Sequence, residues 1–386
     1  MWKIFLFQIL FALMQSSYAA DVYCSSMSTS ACQIDHMNNV ASANDAINVV
    51  GQSSSFLDNA SWILDLNQTS QFSYFPKNFF NTFPKISVVK LSNNSLSNLV
   101  SNNFVNSILQ VIQLQNQLFT NLPAAFAQGC TTLNSIYISN CPLATLDPNA
   151  LLGLTTLAVI EVTNTKITCI PPGFFLNTPS IASISFMSSQ ITSIDPLLFK
   201  GLSKLYYAQL NGNQISYIPN IDLTGTGIVQ SIGGNNTPFI SFQENPIRAI
   251  YPQLLDNVFS TRNTSIQINA GSSSLSTCFP FASFTVNNIN WSTAKSSLST
   301  CFSAWTSAMA NTPVPCASIV TTPSPTSPPT VPATLSTPTL SPTVAPITPI
   351  PPSPPCNLQP CTNGQKRVLE IILSEFRNMS FNVNFN

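Results

Sequence analysis

Apolar residues return along the middle of this chain at one fixed set of offsets. Starting at Ile86 the chain reads Ile86-x-x-Val89-x-Leu91-x-x-Asn94-x-Leu96-x-x-Leu99. The same frame restarts at Leu109, Leu133, Leu157, Ile181 and Leu205, so its spacing is 23, then 24 four times. Counting each first aliphatic as position 0, positions 3 and 5 are apolar and two apart: Val89/Leu91, Ile112/Leu114, Ile136/Ile138, Ile160/Val162, Ile184/Phe186 and Ala208/Leu210. Period-two spacing puts both on one face of a short strand. Positions 10 and 13 are apolar again, and position 18 carries Phe104, Phe175 and Phe199, with Leu151 once in their place. One coil cannot bury so many apolar side chains alone. Coils stacked in parallel bury them against each other.

Position 8 holds Asn94 and Asn213, and Gln117, Cys141, Thr165 and Ser189 in the other coils. An amide there can bond backbone groups in the tight turn after the strand. Gln117, one methylene longer, predicts a slightly different turn. The frame extends upstream through Ser61-x-x-Leu64-x-Leu66-x-x-Thr69, with Phe79 at position 18. Downstream it resumes at Thr237, with Ile240, Phe242, Asn245, Ile247 and Ile250, 32 residues after Leu205. An insertion therefore lies around Gly225 to Gly234. A degenerate coil starting near Asn263 places Ile266 and Ile268 inward.

This pattern resembles the leucine-rich repeats of extracellular proteins, in the "typical" subclass suggested by Ile170-Pro171 running to Phe175. The resemblance covers about 61 to 275. It implies an α/β-type leucine-rich repeat solenoid, with short parallel strands on a concave face and an irregular or short helical convex side. Solenoids of this kind are extended binding surfaces. The organisation expected is a signal peptide over 1–19, an N-terminal cap over 20–60, repeats over 61–275 and a C-terminal cap over 276–318. A disordered Pro-rich stalk over 319–355 and a short segment with an amphipathic helix over 356–386 complete it.

The flanks say where the repeats work. Met1-Trp2-Lys3 precedes an apolar run from Ile4 to Met14, and Ser17-Tyr18-Ala19 follows. That is a secretory signal with its cut after Ala19, or alternatively Ala20, and the run is too short for a membrane anchor. No later stretch has the ~20 apolar residues of a spanning helix. Thr321 to Pro355 is almost wholly Pro, Thr and Ser, without charge or glycine. Proline excludes helix and sheet there, and the composition is that of an O-glycosylated stalk reaching about 110 Å. The competing reading is a ligand for proline-recognition domains, but the basic flanks such ligands often carry are absent. Beyond it, Val368, Ile372, Phe376 and Met379 recur at helical spacing.

In an exported chain the 10 cysteines are disulfide candidates. Cys24 and Cys32 fall in the N-terminal cap, Cys278 and Cys301 after the last coil, and Cys356 and Cys361 past the stalk. Cys130 and Cys141 occupy inward positions, where a buried thiol and a bond are both open readings. The state of Cys169 and Cys316 is open too. Sequons mark Asn59, Asn67, Asn93, Asn235, Asn263, Asn290 and Asn378 as N-glycosylation candidates. Asn67 and Asn93 are awkward because they lie on or beside strands.

Charge and chemistry remove function classes. Lys+Arg and Asp+Glu number 13 each and only 7% of residues are charged, which gives no field to steer nucleic acid. His36 is the one histidine and no Cys-x-x-Cys occurs, so no metal or other cofactor is expected. No nucleophile elbow, phosphate loop or His-Glu-x-x-His is present, and Asp147 and Asp195 recur as parts of the repeat. The expectation is a non-catalytic recognition module for an extracellular protein, peptide or glycan. The alternatives are a structural cell-wall or matrix glycoprotein with the repeats as spacer, and the ectodomain of a cell-surface receptor. Positions 2, 4, 6 and 7 should line the exposed concave face. Gln113, Tyr137, Glu161, Tyr207 and Gln209 are the candidate contacts, being aromatic or long polar groups near its centre.

Overall fold

In a computed structural model the described residues are 19–26, 32–38, 40, 42–50, 63–67, 71–106, 108–228, 239–260, 265–267, 295–296 and 299–309. The stalk, the last segment, Met1 to Tyr18 and the sequons at Asn59, Asn235, Asn263, Asn290 and Asn378 lie outside them, as do Cys278, Cys316, Cys356 and Cys361.

The N-terminal part forms a three-stranded sheet from β1 (Ala19–Ser26), β2 (Cys32–Asn38) and β3 (Ala46–Val50). β1 runs antiparallel to β2 and parallel to β3. Ala20, Val22, Ile34 and Met37 on one side of it join the same apolar core as the coils that follow.

The repeat frame becomes one nine-stranded parallel sheet. Its strands are β4 (Ile63–Asn67), β5 (Val88–Ser92), β6 (Val111–Gln115), β8 (Ser135–Ser139), β10 (Val159–Thr163), β11 (Ser183–Met187), β12 (Tyr207–Gln209), β14 (Phe239–Ser241) and β16 (Ser265–Gln267), neighbours in that order. The register repeats the sequence frame without a slip. Leu64 pairs with Val89, Val89 with Ile112, Ile112 with Ile136, and so on to Ile240 with Ile266. All six position-0 residues from Ile86 to Leu205 are fully buried, as are nearly all those at positions 3, 5 and 10. A one-residue slip would turn every one of these side chains to the wrong face.

Two-residue strands at position 13 pair on the other side: β7 (Asn121–Leu122) with β9 (Thr145–Leu146), and β13 (Tyr217–Ile218) with β15 (Ala249–Ile250). Elsewhere among the described residues that side is mostly turns, with the single helical turn α1 (Phe79–Thr82) in the first coil. Phenylalanines fill the space beneath. Phe75 stacks on Phe104 at 4.9 Å, and Phe104 meets Phe126 edge-on at 6.2 Å. In the coil starting at Leu109, position 18 is Ala127, and Phe126 one residue earlier supplies the bulk. After β15 come α2 (Pro252–Ser260) and α3 (Ser299–Met309), with Trp305 of α3 buried in the core. Lys295 grips both carboxylate oxygens of Asp256 on α2 at 2.7 Å.

Position 8 is the hydrogen-bonding post of the coils, and from Asn94 to Asn245 each described residue there is buried. The Asn213 amide donates to the carbonyls of Phe186 (2.7 Å), Leu210 (2.9 Å) and Asn211 (3.2 Å), and its oxygen accepts from Ile191 N–H (3.1 Å). Asn245 repeats this one coil on, donating to Leu210 and Phe242 and accepting from Ile215 N–H. Gln117 does the same work: it accepts from Leu96 N–H (3.1 Å) and donates to Leu91 (3.0 Å) and Gln115 (2.8 Å). The backbone before it keeps the common form, φ 52° at Asn116 against 55° at Asn140. The expected deviation at Gln117 is therefore absent. The longer side chain reaches the same partners by its own flexibility.

Cys130 and Cys141 are free, buried thiols. The Cys130 thiol points at the Phe104 carbonyl, and Cys141 lies 3.3 Å from the Ser139 carbonyl. Cys169 and Cys301 are disulfide-bonded.

Candidate functional site

The sheet's other face is built by position 4, whose side chains alternate with the buried Leu, Ile and Val of positions 3 and 5. Strand register sets one continuous row across it: Asp65, Lys90, Gln113, Tyr137, Glu161, Ser185, Gln209, Ser241 and Gln267. Adjacent parallel strands lie about 4.8 Å apart. Gln113, Tyr137 and Glu161 are thus lateral neighbours, and Gln209 stands two strands from Glu161. Tyr207 is at position 2 of β12, beside Ser183 on one side and Phe239 on the other. Its ring meets Phe239 edge-on, centroids 4.3 Å apart. The five candidates therefore share one face of the sheet.

That face is less open than the strand alternation suggests. Val88, Val111 and Ser135 at position 2 are buried, as are Ser185 (5% exposed) and Ser241 (0%) at position 4. The cause is size: Ser185 sits between the longer side chains of Glu161 and Gln209, and Ser241 has Gln209 beside it. Neither serine hydroxyl has a hydrogen-bond partner among the described residues. Buried polar groups are nearly always paired, so two orphans in one row stand out.

Glu161 is half-buried and has no hydrogen-bond or ion-pair partner among the described residues. Burial pushes its carboxyl above the usual carboxylate range. Tyr207 is pushed up to about 12, first by burial and then by the charges of Glu161 and Tyr206. Glu161 and Tyr207 are therefore close enough to feel one another across β11.

A second row runs along the end of the strands, and the sequence frame alone did not show it. Position 7 is left-handed in coil after coil: φ is 58° at Asn93, 52° at Asn116, 55° at Asn140, 52° at Asn164, 50° at Ser188, 64° at Gly212 and 58° at Glu244. Asparagine and glycine are the residues that enter this region at least cost. Their recurrence at one offset was the readable signal. The amides also bond one another. Asn93 donates to Asn67 (3.1 Å), Asn116 to Asn93 (2.9 Å) and Asn164 to Asn140 (2.7 Å). The two awkward sequon asparagines, Asn67 and Asn93, are thus bonded to each other.

Among the described residues no group of three His, Cys, Asp or Glu could hold a metal ion, and no helix is long and apolar enough to cross a membrane.

Residues 73–206 and 120–237 match the BspA type leucine rich repeat region, in 6 copies. The parallel coils over 73–237 are thus BspA-type leucine-rich repeats, in a solenoid of the fold class the spacing predicts. No curated protein matches the chain. Among solved structures, a chain of the glycosylated Toll–Spatzle complex of Drosophila is similar at 15% identity and a TM-score of 0.45, over 61% of this chain and 34% of that one. A second structure of that complex gives 15% identity and a TM-score of 0.38, over 62% and 38%. The chain spans about a third of the length of those it is matched to.

Proposed function

We propose that this leucine-rich repeat solenoid is an extracellular, non-catalytic recognition module, and that it binds a protein partner across the face of β6 to β12. One observation carries the reading: five consecutive parallel strands present Gln113, Tyr137, Glu161, Ser185 and Gln209 as an unbroken lateral row. A rigid sheet holds such groups at fixed spacing, so a partner meets them without an ordering cost on this side. The near absence of charge elsewhere favours recognition by hydrogen bonds and rings over electrostatic steering. The apolar leader ahead of Ala19 and the Pro/Thr/Ser tract support placing this face outside the cell, and sequons such as Asn290 support a glycoprotein.

The test is binding by the full secreted chain. A partner captured from the extracellular medium should be retained by wild type and lost by Tyr137→Ala and Gln113→Ala. A substitution on the opposite side, such as Leu176→Ser at an exposed position, should leave it bound. Equal retention by all of these chains refutes the reading. Retention by the isolated Pro/Thr/Ser tract alone would instead favour the spacer role, with the tract as the anchoring part.

A further inference from the structure

We propose that Glu161, Ser185 and Tyr207 form a receptor for one cationic side chain, an arginine or lysine, of the protein partner. The inference rests on the recognition reading above and names the chemistry at its centre. Two independent observations point to a ligand here. Glu161 is a half-buried carboxylate with no hydrogen-bond or ion-pair partner among the described residues. Ser185, its lateral neighbour, buries an unpartnered hydroxyl on the same face.

Both orphan groups can accept hydrogen bonds, and the carboxylate supplies charge. A desolvated carboxylate without a partner costs free energy that an incoming cation recovers. The Ser185 hydroxyl, orphaned on the next strand, can accept one further N–H from the same cation. Ammonium and guanidinium groups both carry several donors around one charge. An anion or a neutral sugar would leave Glu161 uncompensated. The ring of Tyr207, held edge-on to Phe239, lies on the same face and within electrostatic reach of Glu161. Among the described residues the other acid of this row is Asp65, which stands with Lys90 at its far end, beyond Gln113.

Labelled oligo-arginine, oligo-lysine and oligo-citrulline peptides, added to the full chain at low salt and followed by fluorescence anisotropy, test this. One or both cationic peptides should bind and the neutral citrulline isostere should not. Comparing arginine with lysine tells guanidinium from ammonium. Glu161→Gln should weaken cation binding by about tenfold, and Ser185→Ala by less. Asp65→Asn, on the same face, should leave it unchanged. Ser185→Ala should also raise the melting temperature, because it deletes a buried orphan hydroxyl. Equal binding by wild type and Glu161→Gln, equal loss in Asp65→Asn, or no cation binding at all overturns the proposal. If the natural partner is lost on Tyr137→Ala yet kept by Glu161→Gln, the recognition face stands and this cation receptor falls.

Discussion

Replacing Asn213 by leucine tests whether the position-8 posts hold the coils together. Leucine matches asparagine's branched side chain atom for atom and is apolar, so the shape is nearly kept while the polar contacts go. Four backbone groups lose a partner: Ile191 N–H and the carbonyls of Phe186, Leu210 and Asn211. A buried donor left without an acceptor costs about 1–3 kcal/mol. The carbonyls add less, since a carbonyl oxygen is more easily left partly satisfied. The expected total is about 3 kcal/mol, or a fall of roughly 6–12 °C in melting temperature for a repeat domain of this size. Cys141→Ala at the equivalent position is the comparison. Its sulfur lies 3.3 and 3.9 Å from two carbonyls and accepts from the Gln117 backbone N–H, and a thiol is a weak donor and a weak acceptor, so that loss should be about 1 kcal/mol. Circular dichroism melts, with urea titration to check that the unfolding slope is unchanged, give both values. The reasoning fails if Asn213→Leu costs no more than Cys141→Ala.

Ile136→Asp should abolish secretion of folded chain, because it puts an unpaired charge among fully buried neighbours, while Tyr137→Phe one residue on should melt with wild type. Glu161→Gln should be the more stable protein at neutral pH. The native carboxyl titrates above its unfolded value, so the cost of ionising it is present at pH 7 and disappears as pH falls through the native pKa; a variant less stable than wild type at pH 7 contradicts this. Glu244→Asn should gain about 0.5–1 kcal/mol, since φ at Glu244 is 58° and asparagine tolerates that region better. Both free thiols are pushed up to about 11 by burial, so Cys130 and Cys141 should react with a disulfide reagent at pH 8 only after unfolding.

The fold was legible because burial is periodic. Ile112, Ile136 and Ile160 fall at one offset, and a stacked coil leaves them no other environment. The phenylalanine spine was only partly legible: Phe126 serves the coil of Leu109 from one residue early, since a turn of irregular backbone accepts either position. The candidate face was placed but not sized. Alternation says that Ser185 and Ser241 face away from the core, yet exposure depends on the neighbours' lengths, which register alone brings together. Position 7 was missed for a different reason. Its constraint lies in the backbone, and Ser188 and Glu244 interrupt the run of asparagine and glycine that marks it. The fate of Cys130 and Cys141 was open in the sequence because a thiol at an inward position packs equally well with or without a partner within reach.

The amide posts also give the solenoid a direction. Asn213 satisfies Ile191 and Phe186 of the coil before it, as Asn245 satisfies Ile215 and Leu210, and Gln117 satisfies Leu96 and Leu91. Each coil is completed by its successor, so the energetic unit is out of phase with the sequence unit. Removing coils from the N-terminal end leaves every remaining turn served. Removing them from the C-terminal end strips the last turn of its acceptor and donors. A chain growing from its N-terminus therefore always ends in an uncompleted coil, and order in this array advances by retroactive closure.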